Sequence, residues 1–409
     1  MTHIAVIGAG ITGVTTAYAL RKRGFEVTVI DRLRYPAMDT SFANGGQLSA
    51  CNAEVWNNIS TIMKGMRWML RKDAPLLFNP SPSWHKYSWI AEFAGQIRNY
   101  EKNTIETARM AIAAREHLFQ WAKDENIDFD LVERGILHVY QSKEGFESGL
   151  KVSKLLAQAG LQRDAVTPQE IPDIEPTLKG SYYGGFFTPS DSTGDIHKYT
   201  RGLAKACEKH GVNFIFDAEI HNISQQQGKQ IIHYQSTQDP QAQGSLTTDK
   251  LVVCAGVGSR HIAKLLGDRM NVYPVKGYSI TVYLDDEESQ QATPWVSLLD
   301  EEAKIVTSRL GTGRFRIAGT AEYNGINRDI RADRIQPLID WSRRNFNQVG
   351  TYRVVPWAGL RPMMPDMMPR VQKGSKEGVF YNTGHGHLGW TLSAITAEMA
   401  SELIQSSAA

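Results

Sequence analysis

Six consecutive residues near the start of the chain, Gly8, Ala9, Gly10, Ile11, Thr12 and Gly13, carry a glycine spacing suited to an anionic ligand. The three glycines act in different ways, since Gly8 permits a tight turn, Gly10 lets backbone amides approach a pyrophosphate, and Gly13 allows a following helix to pack closely. The N-terminus of that helix would add unpaired amides and a partial positive charge. About 20 residues further on, Asp31 closes a second apolar run, where a carboxylate can accept hydrogen bonds from a ribose. The pattern predicts a dinucleotide site. It does not by itself separate a flavin from a nicotinamide dinucleotide, and Arg32 beside Asp31 leaves a 2′-phosphorylated ribose open.

A strand, a turn, a helix and a second strand must hold these residues. Residues 4–7 are an apolar run, Ala17, Tyr18 and Leu20 recur at helical spacing, Gly24 is placed to end the helix, and residues 27–30 are a second β-branched run. Residues 58–122 read as mostly helical, broken by the turn-forming cluster at 79–83. Residues 135–140 and 182–187 read as strands, 200–210 as a helix ended by Gly211, and 212–216 as the strand after it. Residues 250–254 predict a return strand that opens into Ala255 and Gly256. Residues 272–284 and 314–319 read as antiparallel strands of a separate sheet, 333–345 as a helix, and the polar stretch 224–243 as a hairpin or surface loop.

This order predicts an α/β fold, α+β overall, in which a Rossmann-type nucleotide-binding domain is interleaved with a substrate domain containing an antiparallel sheet and helices. The expected, approximate boundaries are 1–60, 195–270 and 355–409 for the first and 61–194 and 271–354 for the second. Forty-five basic and 43 acidic side chains leave a net charge of +2, so no whole-molecule field would gather nucleic acid, and such a partner is not expected. Cys51, Cys207 and Cys254 form no C-x-x-C pair and suit a reducing compartment, and Cys51 and Cys254 read as buried small side chains. The start of the chain leaves no room for a secretory leader, and no stretch approaches ~20 uninterrupted apolar residues. A cytoplasmic enzyme is expected.

Further motifs lie at residues 40–47 (Thr-Ser-Phe-Ala-Asn-Gly-Gly-Gln), 273–279 (Tyr-Pro-Val-Lys-Gly-Tyr-Ser), 357–362 (Trp-Ala-Gly-Leu-Arg-Pro) and 382–391 (Asn-Thr-Gly-His-Gly-His-Leu-Gly-Trp-Thr). Taken in order, they resemble the bacterial FAD-dependent D-amino acid dehydrogenases, within the wider group that includes glycine oxidase and D-amino acid oxidase. The resemblance runs from about residue 4 to residue 403. It implies that the dinucleotide is FAD, with Asp31 at the ribose, Ser41, Asn44, Gly45 and Gly46 along the pyrophosphate and flavin, and Ala255 and Gly256 returning to the cofactor. Gly384, His385, Gly386, His387, Leu388 and Gly389 would close over the isoalloxazine. The sequence departs from the family pattern at His387, where threonine is common, and at residues 366–369, which bears on substrate preference and electron acceptor.

The resemblance also implies chemistry: oxidative deamination of a small amino acid, most simply a D-amino acid, with hydride passing to the flavin and electrons to a quinone or other carrier. A buried substrate carboxylate needs a charge-assisted partner, and the fork of arginine is well shaped for it. Arg361 in its Gly-Leu-Arg-Pro setting is the expected partner, Tyr278 an accompanying phenolic donor, and Arg309 an alternative. His385 and His387 are further candidates for a catalytic role, in proton handling or flavin modulation. No metal is expected. A D-proline or hydroxyproline dehydrogenase, an oxygen-using oxidase and a non-catalytic flavin subunit are the competing readings. Residues 61–72 carry four basic side chains and no acid among Met and Trp, a composition that suits either a packed helix or peripheral contact with the inner face of an anionic membrane.

Overall fold

The computed structural model describes residues 1–68 and 76–407. Five parallel strands build a sheet in the order Val379–Thr383, Lys250–Val253, His3–Ile7, Glu26–Ile30 and Asn213–Ile215, with Arg370–Lys373 antiparallel at one edge. Their cores are continuous apolar runs because both faces are covered. Helices Ile11–Lys22, Ile196–Lys209 and Ser393–Ser406 bury one face around Val14, Leu203 and Ala397. The other face packs on helix Ser259–Leu266 and on a three-stranded antiparallel sheet, Ala218–Gln226, Lys229–Ser236 and Gln243–Thr248. The polar stretch read as a hairpin or loop is thus a hairpin.

A second, nine-stranded sheet runs in the order Val354–Met363, Tyr273–Tyr283, Arg314–Tyr323, Ile305–Leu310, Ser297–Asp300, Ile136–Tyr140, Gly184–Thr188 and Asp164–Val166, with Leu76–Phe78 also paired to Arg314–Tyr323. Helix Ala332–Asn345 covers one face through Ile335, Leu338 and Trp341. Strand Val354–Met363 pairs residue by residue with Tyr273–Tyr283, so the chain leaves this sheet after Met363 and not at residue 355. Within the stretch read as mostly helical, Leu76–Phe78 is a strand between helices Ile59–Trp68 and Trp84–Gly95. Helix Ile196–Lys209 starts where Asp195 accepts from the amides of His197 and Lys198, a side-chain cap that fixes its first turn. Of the basic stretch 61–72, Arg71 and Lys72 lie outside the described residues, as do the side chains of Lys64 and Arg67. Among the described residues no helix is long and apolar enough to cross a membrane.

Candidate active site

A cleft of about 2000 Å³ is lined by residues of both sheets. Every residue of the expected cofactor set except Gly13 lines it. Gly8 sits at φ +111° with its α-carbon so close to the next strand that a side chain would meet the Cys254 carbonyl oxygen at 2.6 Å. A β-carbon on Gly13 would come within 1.8 Å of the Gly8 carbonyl oxygen, so this glycine serves the turn from behind. Helix Ile11–Lys22 begins at Gly10 with no side-chain cap there, and the Ile11 amide donates to Ser41 Oγ at 3.0 Å. The Asp31 carboxylate accepts from the amides of Ala9 (2.5 Å) and Leu33 (2.8 Å), which pins the end of its strand to the glycine turn. Burial pushes this carboxyl up, against the pull of those two amides.

The loop at 40–46 is held by the second sheet. Three successive carbonyls are tied down: Ala43 accepts from Ser279 Oγ (2.7 Å), Asn44 from Arg316 Nη1 (2.9 Å) and Gly45 from Ser308 Oγ (2.7 Å). With these oxygens engaged on the sheet, the loop presents its other edge to the cleft. Gly46, at φ +78°, has Ser308 within 2.9 Å of where a β-carbon would lie.

Arg361 stands on the edge strand Val354–Met363, opposite Val275. Its guanidinium lies over Gly277, where a β-carbon would come within 2.4 Å of both terminal nitrogens. Nη1 donates to the Thr320 carbonyl at 3.1 Å, and among the described residues no carboxylate pairs with it. Burial lowers its pKa to about 10, so it remains a cation at neutral pH. Thr320 itself holds φ +63°, a strained setting for a β-branched residue, and its Oγ1 is buried without a hydrogen-bond partner. Tyr323 lies near enough for its phenol and the guanidinium to act on one another electrostatically. Residues 315–325, which hold both Thr320 and Tyr323, also share the family resemblance, but nothing in that stretch marks either side chain as part of the site.

Two expectations are corrected. The Tyr278 ring borders the cleft, but its hydroxyl donates to Glu322 Oε2 at 2.7 Å inside a buried cluster that also holds Lys276 Nζ, 3.3 Å from the same oxygen. Tyr278 is 1% exposed, and its hydroxyl is committed to that carboxylate. Arg309 does not line the cleft: its Nη1 donates to the carbonyls of Gln290 (2.7 Å) and Thr293 (2.8 Å), and its guanidinium stacks 4.0 Å above the Trp295 ring. Four chain carbonyls and an aromatic face occupy it as a structural cation.

The two histidines do face the cleft. His387 Nε2–H donates to the Asn52 carbonyl at 3.0 Å, which fixes the neutral tautomer with Nδ1 unprotonated, and its ring stacks on Trp56 with centroids 4.9 Å apart. His385 Nε2 pairs with Thr396 Oγ1 at 2.9 Å. Burial lowers both to about 4.

A glycine-turn dinucleotide cradle shares its cleft with an arginine of the second sheet that pairs with no carboxylate among the described residues, and the class of protein is a dinucleotide-dependent oxidoreductase. The chain matches the FAD dependent oxidoreductase family, DAO, over residues 3–403 and belongs to it. It is 61% identical over 404 residues to D-amino acid dehydrogenase 3 of Mesorhizobium japonicum, covering 99% of this chain and 97% of the relative. It is 38% identical to the D-amino acid dehydrogenase of Paramagnetospirillum magneticum, covering 98% and 94%. The fold is shared with glycine oxidase from Geobacillus kaustophilus, at a TM-score of 0.76 and 17% identity over 99% of this chain and 95% of that one. The cofactor is FAD, and the cleft fits it: the uncapped helix start, the space kept by Gly8 and the carbonyls withdrawn at 43–45 leave amide edges for the pyrophosphate and flavin.

Proposed function

We propose that this oxidoreductase deaminates a small D-amino acid to the 2-oxo acid and ammonia, passing electrons to a quinone or another carrier. The observation that carries the reading is Arg361, a half-buried guanidinium without a carboxylate partner among the described residues, seated on Gly277 in the flavin cleft. The relationship to D-amino acid dehydrogenases across nearly the whole chain supports the class of donor.

When bound, FAD supplies the two-electron acceptor for the α-hydrogen, taken as hydride. Arg361 pairs with the substrate carboxylate, and the free Thr320 Oγ1 and the Tyr323 phenol add hydrogen bonds to it. His387 is too weak a base to hold a proton at neutral pH, so its Nδ1 acts as a hydrogen-bond acceptor that orients the amine once that amine has lost its proton. His385 holds the turn at residues 384–386 against helix Ser393–Ser406 through Thr396. Ile59, Met63, Trp84 and Tyr87 are exposed on the helices bordering the cleft and support peripheral contact with a membrane that carries the quinone.

Incubation with D- and L-alanine and an artificial electron acceptor tests the reading through the pyruvate and ammonia formed. Release from the D-enantiomer is expected; release from the L-enantiomer alone would overturn the stereochemical assignment. Flotation with anionic liposomes tests the membrane contact, and protein that stays entirely in the aqueous fractions removes it.

A further inference from the structure

Cys51, His138 and Glu301 come from three separate elements and meet in one chain of hydrogen bonds at the wall of the cleft. Glu301 Oε1 lies 3.0 Å from His138 Nδ1, and His138 Nε2 lies 3.2 Å from Cys51 Sγ. Lys304 Nζ donates to the second carboxylate oxygen at 2.5 Å. Burial works against the Glu301 anion, yet Lys304 and His138 hold its carboxyl far below the usual range. An ionised carboxylate can only accept, so Nδ1 carries the proton, Nε2 is the lone pair, and the thiol donates to it. Nucleophile, base and orienting acid therefore stand in the order that nucleophilic catalysis uses.

Two side chains that act on the sulfur have buried polar atoms without a hydrogen-bond partner. Thr188 is fully buried and its Oγ1 has no hydrogen-bond partner; Arg163 has Nε and Nη2 buried and equally unpartnered. Burial, the largest effect, and the Asp191 carboxylate push the Cys51 thiol well above its ordinary value against the pull of Arg163 and Thr188, so the sulfur is protonated at rest and must give up its proton as it attacks. Asp191 is itself engaged by the amides of Ala50 and Cys51 and by Arg115. Arg163 is otherwise held by Ser153 Oγ and the Phe186 ring, so the Thr188 hydroxyl is the buried group beside the thiol with no other partner to serve, and such a group is costly to bury unless an incoming acceptor meets it. Sγ is enclosed by protein on the side away from the cleft, packed among Ala108, Ala111 and Leu156, so any reagent arrives through the cleft.

We propose that Cys51 is a nucleophilic thiol that reduces small hydroperoxides entering the cleft and becomes a sulfenic acid. Sγ attacks one peroxide oxygen, an S–O bond forms as the O–O bond breaks, and sulfur gives up two electrons to the peroxide. The thiol proton passes to His138 Nε2 and on to the departing oxygen, which leaves as water or, from an organic hydroperoxide, as an alcohol. Arg163 and Thr188 donate to the peroxide oxygens, and Glu301 holds the imidazole through Nδ1–H. Cys207 and Cys254 are buried in the core of the six-stranded sheet and neither is bonded to Cys51, so an external thiol resets the oxidised sulfur. The proposal does not depend on which amine donor the flavin oxidises.

The test is trapping with dimedone on the FAD-loaded enzyme exposed to hydrogen peroxide, with the label mapped by peptide mass spectrometry. Label is expected at Cys51 and not at Cys207 or Cys254, and its rate of appearance should fall about 100-fold in His138→Asn. Thr188→Val, a smaller change that keeps the core filled, should slow labelling about tenfold, so the proposal remains testable should the histidine variant fail to fold. An unlabelled Cys51 in a sample where added glutathione is fully oxidised would overturn it, and so would labelling as fast in Thr188→Val as in the parent.

Discussion

Replacing Arg361 with methionine should cripple substrate capture without harming the fold, because burial already works against the charge it removes. Burial pulls the guanidinium down to about 10 from its ordinary value, which corresponds to roughly 3 kcal/mol held against the cation. Its one hydrogen bond, to the Thr320 carbonyl, recovers only about 1 kcal/mol of that. A substrate carboxylate docking on it would make charge-assisted bonds worth roughly 1.5–3 kcal/mol each. Losing about 3–4 kcal/mol lowers kcat/KM roughly 100- to 1000-fold. Methionine fills much of the volume with an apolar side chain, so Tm should stay level or rise. Stopped-flow anaerobic reduction, FAD binding by fluorescence and a melting curve on the same preparation read all three quantities. A kcat/KM within about threefold of the parent would remove Arg361 from the substrate seat, and a Tm several degrees lower would make it a structural cation.

Gly277→Ala places a β-carbon 2.4 Å from both terminal nitrogens of that guanidinium; the arginine must move, and KM should rise about tenfold or more with FAD still bound. An unchanged KM would mean that the guanidinium does not rest there. Tyr323→Phe should raise KM by about tenfold, whereas Tyr278→Phe should lower stability by roughly 1 kcal/mol at little kinetic cost, since it takes one hydrogen bond from Glu322, which keeps Lys276 and Asn324, and none from the substrate; the reverse pattern would restore Tyr278 to the carboxylate. His385 and His387 are pushed down to about 4 by burial, against about 6.5 in the unfolded chain. The folded state resists their protonation, so the stability they contribute is full above about pH 6.5 and is lost as pH falls toward 4. Tm should drop across that window, less steeply in His385→Asn, and a level parent curve down to pH 4.5 would contradict the buried neutral assignment.

The cofactor half of the site was legible because its constraints are local. Gly8, Gly10, Gly13 and Asp31 sit at spacings set by one turn, one helix and one strand, and the fold places them as those spacings require. Arg361 was legible only through its motif. The strand that carries it contains Pro356 and Pro362, which argue against a strand in a sheet interior but are tolerated at an edge, where this one lies. Tyr278 misled because the pairing register slips between Lys276 and its own position, and such an irregularity re-aims side chains in a way no alternation pattern records. Thr320 and Tyr323 take their meaning from that same irregularity. Cys51 read as inert because its partners are 87 residues away at His138 and, beyond that, 163 further at Glu301. His138 and Glu301 meet because their strands pair within the second sheet, Leu299 opposite His138, a pairing between distant segments that no local spacing records.

The most direct measurement is the visible spectrum of the purified protein as D-amino acids are added without oxygen. Bound FAD should give a yellow protein whose absorbance near 450 nm bleaches with D-amino acids and much more slowly with their L-enantiomers. Protein that binds FAD but keeps its oxidised spectrum with every D-amino acid tried would contradict the account.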